Sequence, residues 1–388
     1  MNHSQSKPES KPETDTCHEC GLRVSVPVLA EQHKAQCPRC GFVLTIVHEN
    51  AVERILAFSL TALIFLAASL PFEFLAFKAN GLENKFDVAA SFAILMDNDY
   101  QVLALLQLVT IFVIPVAILA GLIYLLIPLR KGRYPAKGHW VMDWVLRLLP
   151  WSMVEIFLIG ALVSLIKIIA MADIVLGPSF VAFVLFALAM TAVVLHIDQR
   201  QLYQLLDAAK PEGVVKQPPK PHLSRSISIQ QTWALILTSV VLYIPANILP
   251  IMNTRLLGQN DPSTILGGVI LLWGMGSYPI AAVIFIASVA VPVAKILALA
   301  WLNYSVQVNT AGLTIQRIKL YRIAEFVGRW SMVDVFVVII LVSLIQLGNT
   351  MSIVPGAATL AFAGVVVVTM LAAMRFDPQL IWSNDSAH

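Results

Sequence analysis

The chain contains 388 residues, of which 58% are hydrophobic and 13% are charged, and its mean hydropathy is +0.78. A typical soluble domain is about half apolar and about a quarter charged, so this composition excludes a soluble enzyme and a disordered protein. The formal net charge of +3 is too small to create a surface that binds polyanions, which excludes a nucleic-acid binder. The composition is that of a protein that crosses a membrane several times.

The first 50 residues are more polar than the rest of the chain. Residues 1–15 are rich in Ser, Pro, Lys and Glu, and we expect a disordered tail there because they cannot bury enough apolar area to offset the entropy of ordering. No signal peptide is predicted, since this start is polar and the first long apolar run begins after Glu53. All the cysteines of the chain follow within residues 16–50.

These cysteines form two pairs with metal-ligand spacing, Cys17-x-x-Cys20 and Cys37-x-x-Cys40, with sixteen residues between the pairs and a glycine directly after each. Four thiolates fill a tetrahedral coordination shell. We therefore predict a cytoplasmic zinc-ribbon-like domain over residues 16–50 with one structural zinc ion.

Two other uses of these cysteines compete with a zinc site. Iron in a rubredoxin-like site is the main alternative, because four thiolates suit it as well. A redox dithiol is disfavoured, because two matched pairs are present without a surrounding thioredoxin-like pattern. Since four thiolates already complete the shell, His18 and His33 are expected to be exposed to solvent.

The remainder of the chain contains eight apolar runs of membrane-spanning length. They fall near residues 53–77, 101–129, 148–170, 179–199, 232–252, 277–304, 326–347 and 357–376. Lys and Arg concentrate in alternate connections, at 130–147, 200–225 and 305–322, so the positive-inside rule predicts that both termini are cytoplasmic. A reducing cytoplasm also favours metal-bound cysteines over disulfides.

The chain repeats itself. The motif Trp151-Ser-Met-Val-Glu-Ile-Phe157 recurs 179 residues later as Trp330-Ser-Met-Val-Asp-Val-Phe336. Four spans fall in each half, so the halves share one orientation, and we predict an all-α polytopic fold of two parallel four-helix repeats over 51–206 and 229–388. The Pro- and Lys-rich stretch at 207–228 is predicted to be a cytoplasmic linker.

Ionisable side chains inside the second half indicate a polar site, because such groups are costly in a bilayer and are usually functional. Lys295 and Asp334 each lie about nine residues from the cytoplasmic ends of their spans, or roughly 13 Å deep, so an ion pair between them is feasible. Ser288 lies two turns before Lys295 on the same helix face, and Ser331 lies three residues before Asp334.

The first half carries a different set of charges. By the motif alignment, Glu155, which follows Ser152, corresponds to Asp334. Ile118 takes the place of Lys295, so one lysine faces two carboxylates. We hypothesise that Lys295, Asp334 and Glu155 form a titratable relay that couples proton movement to a conformational change. The alternative is a structural ion pair, with Glu155 snorkelling or capped by Ser152.

The chain combines a four-cysteine knuckle pair with a doubled four-span unit, in which W-S-M-[VIL]-[DE]-[VI]-F opens the third span. This combination resembles the paraquat-inducible protein A family (PqiA/LetA-like). The resemblance covers residues 17 to about 380. It implies an inner-membrane protein of Gram-negative bacteria that works with a periplasmic mammalian-cell-entry (MCE) domain protein forming a tunnel, and that moves phospholipid between the two membranes. Many members carry a second cysteine module before the second half; the linker here has no cysteine, so one metal site is expected.

The function that we predict is that of a non-enzymatic transporter, the inner-membrane component of an intermembrane phospholipid transport system. The glycine-rich stretch 267–276 lacks the Lys-Ser/Thr of a P-loop, and no nucleophile–base pair is evident. The alternative is a proton-coupled exporter of small molecules that acts alone. A membrane redox protein is disfavoured, because it needs haem-ligating histidines within spans and only His196 lies near one.

Overall fold

The computed structural model describes residues 13–26, 33–47, 49–79, 82–97, 100–168, 173–210, 225–256, 259–308, 313–344 and 351–382. Within these residues, eight helical segments are long and apolar enough to cross a membrane. The four cysteines of the N-terminal domain lie close together. The predicted class, a helical multi-pass membrane protein with an N-terminal four-cysteine domain, is confirmed.

The N-terminal domain consists of two antiparallel hairpins, one for each cysteine pair. Its strands are β1 (Glu13–Thr16), β2 (Arg23–Val26), β3 (Lys34–Gln36) and β4 (Val43–Ile46). Because β1 pairs with β2 across the first knuckle, the domain begins at Glu13, inside the tail predicted for 1–15. The rest of that tail, residues 1–12, lies outside the described residues.

The first half contains four candidate spans and a short strand-rich region. Its elements are α1 (Ala51–Ala68), β5 (Leu75–Ala79), β6 (Leu82–Phe86), α2 (Val88–Asp97), α3 (Gln101–Leu108), α4 (Ile114–Arg130), α5 (Gly138–Leu148), α6 (Val154–Ile168), β7 (Asp173–Leu176), α7 (Pro178–His196) and α8 (Gln199–Ala208). A π-helical turn at Val109–Val113 joins α3 to α4 within one span.

The second half follows the same order of elements. They are α9 (Arg225–Ile248), β8 (Met252–Leu256), β9 (Gln259–Ser263), α10 (Ile265–Gly274), α11 (Tyr278–Phe285), α12 (Val291–Gln307), α13 (Thr314–Trp330), α14 (Val333–Leu344), β10 (Met351–Pro355) and α15 (Ala357–Arg375). A second π-helical turn, Ile286–Ala290, joins α11 to α12. Since α9 begins at Arg225, the predicted linker of 207–228 ends in helix; its part at 211–224 lies outside the described residues.

Two small sheets, with strand orders β6-β5-β7 and β9-β8-β10, are additions to the predicted fold. They lie at the ends of the spans opposite the N-terminal domain, and all their pairs are antiparallel. The first predicted span, 53–77, is shorter than expected because α1 ends at Ala68 and Leu75 already starts β5. The pairing of β5 with β7 joins segments about a hundred residues apart, which no local sequence pattern reveals.

The third and seventh spans are interrupted at the repeated Trp-Ser-Met motif. Ser152 has extended backbone angles (φ −71°, ψ 116°) between α5 and α6, and a turn at Ser331 separates α13 from α14. Glu155 and Asp334 consequently lie in the first turns of α6 and α14, where the helix dipole favours a negative charge.

The two halves pack together along α6 and α14. The rings of Phe157 and Phe336 meet edge to face with centroids 5.6 Å apart. A Cβ atom on Gly160 would lie 3.0 Å from Phe336 Cβ, so the glycine allows close approach of the helices. All residues from Val335 to Ser343 are buried, and α14 therefore forms the centre of a single body.

Candidate functional site

The acidic residue of α14 contacts the π-helical turn of the preceding span. Pro292 lacks a backbone N–H and interrupts the helical hydrogen bonds, and the π-helical turn lies directly before it. Ser288 in this turn donates its hydroxyl to Asp334 Oδ2 at 2.7 Å. The structure thus brings together two of the residues selected from the sequence, at a place where both helices are irregular.

Lys295 is buried, with 3% of its surface exposed. Its Nζ donates to the Thr369 hydroxyl of α15 at 2.9 Å, and none of the ion pairs between described residues involves it. The simpler alternative, a structural ion pair of Lys295 with Asp334, is therefore not formed in this conformation. Each of the two charged groups has a hydroxyl partner instead.

Gly328 of α13 makes room for the lysine. A Cβ atom at this position would lie 2.9 Å from Lys295 Nζ and 3.2 Å from Cε. The equivalent residues of the first half, 179 and 177 positions earlier, are Leu149 and Ile118. Where the first half has isoleucine, the second half has lysine. On the neighbouring helix, where the first half has leucine, the second half has the glycine that leaves space for this lysine.

Glu155 has a different environment from Asp334. It accepts a hydrogen bond from the Thr191 hydroxyl of α7 at 3.1 Å, and the positive charge of Arg329, from the other half, acts on it. Ser152 does not cap it, because the buried Ser152 hydroxyl has no hydrogen-bond partner among the described residues. Ser331 likewise donates to the Val327 carbonyl oxygen at 3.2 Å rather than to a carboxylate.

Four residues of this site are not predicted from the sequence: Thr191, Thr369, Gly328 and Arg329. Thr and Gly are ordinary residues of membrane spans, so neither composition nor periodicity distinguishes them. One signal was available for Gly328, the paired difference from the first half. No sequence pattern indicates the two threonines, because each belongs to the site only through a hydrogen bond with a residue on a distant helix.

The four cysteines form a compact set of donors. All four Sγ atoms lie within 4.8 Å of one another, with Cys17 and Cys40 at 3.5 Å and Cys20 and Cys37 at 3.4 Å. A tetrahedral ion with metal–sulfur bonds of about 2.3 Å separates its ligand sulfurs by about 3.8 Å. These residues therefore fit a tetrahedral metal ion, which would give the two knuckles a common anchor.

The backbone of the knuckles supports the same conclusion. Gly21 and Gly41 have φ of +69° and +71°, a conformation that favours glycine and closes each knuckle tightly. Burial raises the pKa of Cys20 to about 11, although the backbone N–H of Leu22 opposes that shift. A buried thiol of this kind needs a bound cation to stay deprotonated at neutral pH.

We expect Cys20→Ser to abolish metal retention, because a hydroxyl is a poor replacement for a thiolate in a closed four-sulfur site. The metal content of the purified full-length protein is to be measured by elemental analysis. His18→Ala is the matched control, since His18 is exposed beside the same knuckle and should leave the content unchanged. Equal metal content in wild type and Cys20→Ser would contradict the assignment.

Fold and site together define a multi-pass membrane protein with an N-terminal four-cysteine domain that fits a metal ion. Within its spans, the protein carries a buried lysine and two half-buried carboxylates that lie just after helix breaks. The chain belongs to the family described as Paraquat-inducible protein A, whose sequence model matches residues 52–207 and again 229–385. The same family pattern is thus found once in each half.

Relatives match over nearly the whole chain. It is 37% identical to the "Intermembrane transport protein PqiA" of Escherichia coli (strain K12), over 95% of each chain. It is 26% identical to the "Lipophilic envelope-spanning tunnel protein A" of the same strain, over 94% of this chain and 90% of the relative. The "Probable intermembrane transport protein" of Haemophilus influenzae is 25% identical, over 94% of this chain and 95% of the relative. No solved structure matches.

Proposed function

We propose that this protein is the inner-membrane component of an intermembrane phospholipid transport system, and that it passes lipid between the inner membrane and a periplasmic MCE-domain tunnel partner. The observation that carries this proposal is the 37% identity, over 95% of both chains, to a protein named for intermembrane transport. The tunnel protein named among the relatives supports the same role.

In this proposal both termini and the four-cysteine domain are cytoplasmic, and the bound ion is zinc with a structural role. The basic residues of the chain support this orientation. Arg130 ends α4, and Lys131 and Arg133 follow it. All three are exposed and lie at the end of the spans that also carries the cysteines, and positive charge favours the cytoplasmic side. The two small sheets would then face the periplasm, where lipid is handed to the partner.

We further propose that lipid movement is coupled to protons through Lys295, Asp334 and Glu155. Their partners Thr369, Ser288 and Thr191 are hydroxyls; a hydroxyl both donates and accepts hydrogen bonds and so permits a change in the protonation of its neighbour. An ion gradient suits a chain that carries no P-loop. Ser152 and Ser331 would act at the helix breaks rather than on the carboxylates.

The proposed function is tested by affinity purification of the tagged full-length protein from native membranes, followed by mass spectrometry of proteins and lipids. We expect an MCE-domain protein and phospholipid above the level found with an unrelated multi-pass protein carrying the same tag in the same detergent. Recovery of the protein alone, without lipid above that control, would contradict the proposal and favour the exporter that acts alone.

A further inference from the structure

Arg322 of α13 contacts both cysteine knuckles of the N-terminal domain. Arg322 donates from Nε to both carboxylate oxygens of Glu19, at 3.0 and 3.2 Å, and its Nη2 also contacts this carboxylate. The same Nη2 donates to the Cys40 carbonyl oxygen at 3.0 Å. Glu19 belongs to the first cysteine knuckle and Cys40 to the second, so one guanidinium group holds both.

The surface around this contact is apolar and closely packed. Three metal-ligand cysteines form a hydrophobic cluster with Leu302, Val306, Ile318, Tyr321, Phe376 and Trp382. The guanidinium of Arg39 lies 4.5 Å from the centroid of the Trp382 ring, and Gln379 Nε2 donates to the His18 carbonyl oxygen at 3.1 Å. The domain is therefore docked on the second half rather than merely tethered to it.

The N-terminal domain also contacts the first half. Asp198 Oδ2 accepts from the Thr45 hydroxyl at 2.9 Å and from the Ile46 backbone N–H at 2.7 Å. Asp198 also caps α8, since its other carboxylate oxygen accepts from Gln201 N at 2.9 Å. The knuckles thus bridge the ends of both halves.

The helix α13 connects this contact to the buried lysine. Gly328, the residue against which Lys295 packs, lies six residues after Arg322 on the same continuous helix, about 9 Å further along its axis. The helix ends at Trp330, just before Asp334. In the first half the residue equivalent to Arg322 is Asp143, which accepts from the Tyr203 hydroxyl. The arginine contact therefore exists only in the half that also carries Lys295.

We infer that the contact of Arg322 with Glu19 and Cys40 is a latch, by which the metal-folded knuckles hold α13 in place against Lys295. Arg322 and Glu19 are then positioning residues of the candidate transport site. Glu19 is nearly buried, with 9% of its side chain exposed, so loss of Arg322 leaves an uncompensated charge and releases the helix. The consequence for transport rests on the proposed function, whereas the latch itself does not.

The test is hydrogen-exchange mass spectrometry on the full-length protein, following the amides of residues 325–334 across the break between α13 and α14. In wild type, chelation of the metal should speed exchange there by about tenfold, as expected for the loss of charge-assisted hydrogen bonds. Arg322→Gln should show the same increase with its metal content intact, and chelation should then add nothing at the break. Lys319→Gln, an exposed cation on the same helix, is the matched control and should exchange as wild type does.

Two results would overturn the latch. One is wild-type exchange at the break in an Arg322→Gln protein that retains its metal. The other is an equal effect of chelation in Arg322→Gln and in wild type, because the metal would then act without this arginine. If Arg322→Gln does not accumulate, Glu19→Gln tests the same contact from the side of the knuckle. A working latch in a protein that fails to bind lipid would count against the proposed function alone.

Discussion

Replacing Gly356 by alanine is expected to lower the stability of the whole protein by about 3 kcal/mol or more. The new Cβ atom would lie 1.9 Å from the Pro250 carbonyl oxygen. No rotamer change relieves this contact, because the backbone fixes the positions of both the Cβ atom and the carbonyl oxygen. The same collision occurs in the first half, where a Cβ on Gly177 would lie 1.9 Å from the Glu73 carbonyl oxygen. Both glycines have negative φ, so the requirement is for space rather than for an unusual conformation.

The surrounding hydrogen bonds explain why the backbone cannot move aside. Gly356 N donates to the Ile251 carbonyl oxygen at 2.8 Å, and the Thr359 hydroxyl donates to the same oxygen at 2.7 Å. These bonds attach the start of α15 to the strand region at the far ends of the spans. Any shift that accommodates the methyl group breaks them.

The measurement is the thermal unfolding midpoint of the detergent-solubilised protein. Gly268→Ala is the matched control, because a Cβ atom there meets nothing within 4 Å and alanine in a helix is favoured over glycine by about 0.5–1 kcal/mol. The control midpoint should therefore stay level or rise. An unchanged midpoint in Gly356→Ala would show that α15 can begin elsewhere.

Lys295→Met is expected to reduce phospholipid transfer by at least about tenfold while leaving the unfolding midpoint level or higher. The substitution keeps the length of the side chain and removes a buried charge whose partner is a hydroxyl, and apolar replacement of a buried charge is often neutral or stabilising. Asp334→Asn should cause a similar loss of transfer, because an amide keeps the shape of the side chain but cannot bind or release a proton near neutral pH.

Transfer is to be measured from proteoliposomes to the co-purified partner with labelled phospholipid, at equal amounts of folded protein. Lys131→Met removes an exposed lysine and should behave as wild type. A structural role would give the opposite pattern for Lys295→Met, with normal transfer and a lowered midpoint. That result would refute the relay.

Features that depend on local pattern could be predicted from the sequence. Hydropathy predicts the eight spans, and the spacing of the cysteines from Cys17 to Cys40 predicts the four-cysteine domain. The residues of the hypothesised relay follow from the rarity of ionisable groups in spans. Their partners could not be predicted: Thr369 is 74 residues from Lys295, and the packing of α12 against α15 decides that contact. The strands were missed for the same reason, because backbone hydrogen bonds across a sheet depend on distant chain segments.

The interruptions of the helices could be predicted only in part from the sequence. Pro292 interrupts the helical hydrogen bonds of its span, but the π-helical turn that contains Ser288 depends on the whole segment. The Trp-Ser-Met motif was placed at the opening of a span, whereas it separates two helices. Its serines matter through the geometry of the break, and this is why Ser152 and Ser331 do not contact the carboxylates beside them.

The contact between α6 and α14 has an implication for how such a chain arises. Phe157 and Phe336, which meet at this interface, occupy the same position of the repeated motif, so each half presents the same surface to the other. Contact between equivalent residues is typical of the interface of a twofold-symmetric homodimer. Two separate copies of one gene product must carry identical residues. A single polypeptide is free of that constraint, so a lysine, the glycine that accommodates it and the arginine that contacts the four-cysteine domain can be present in one half only.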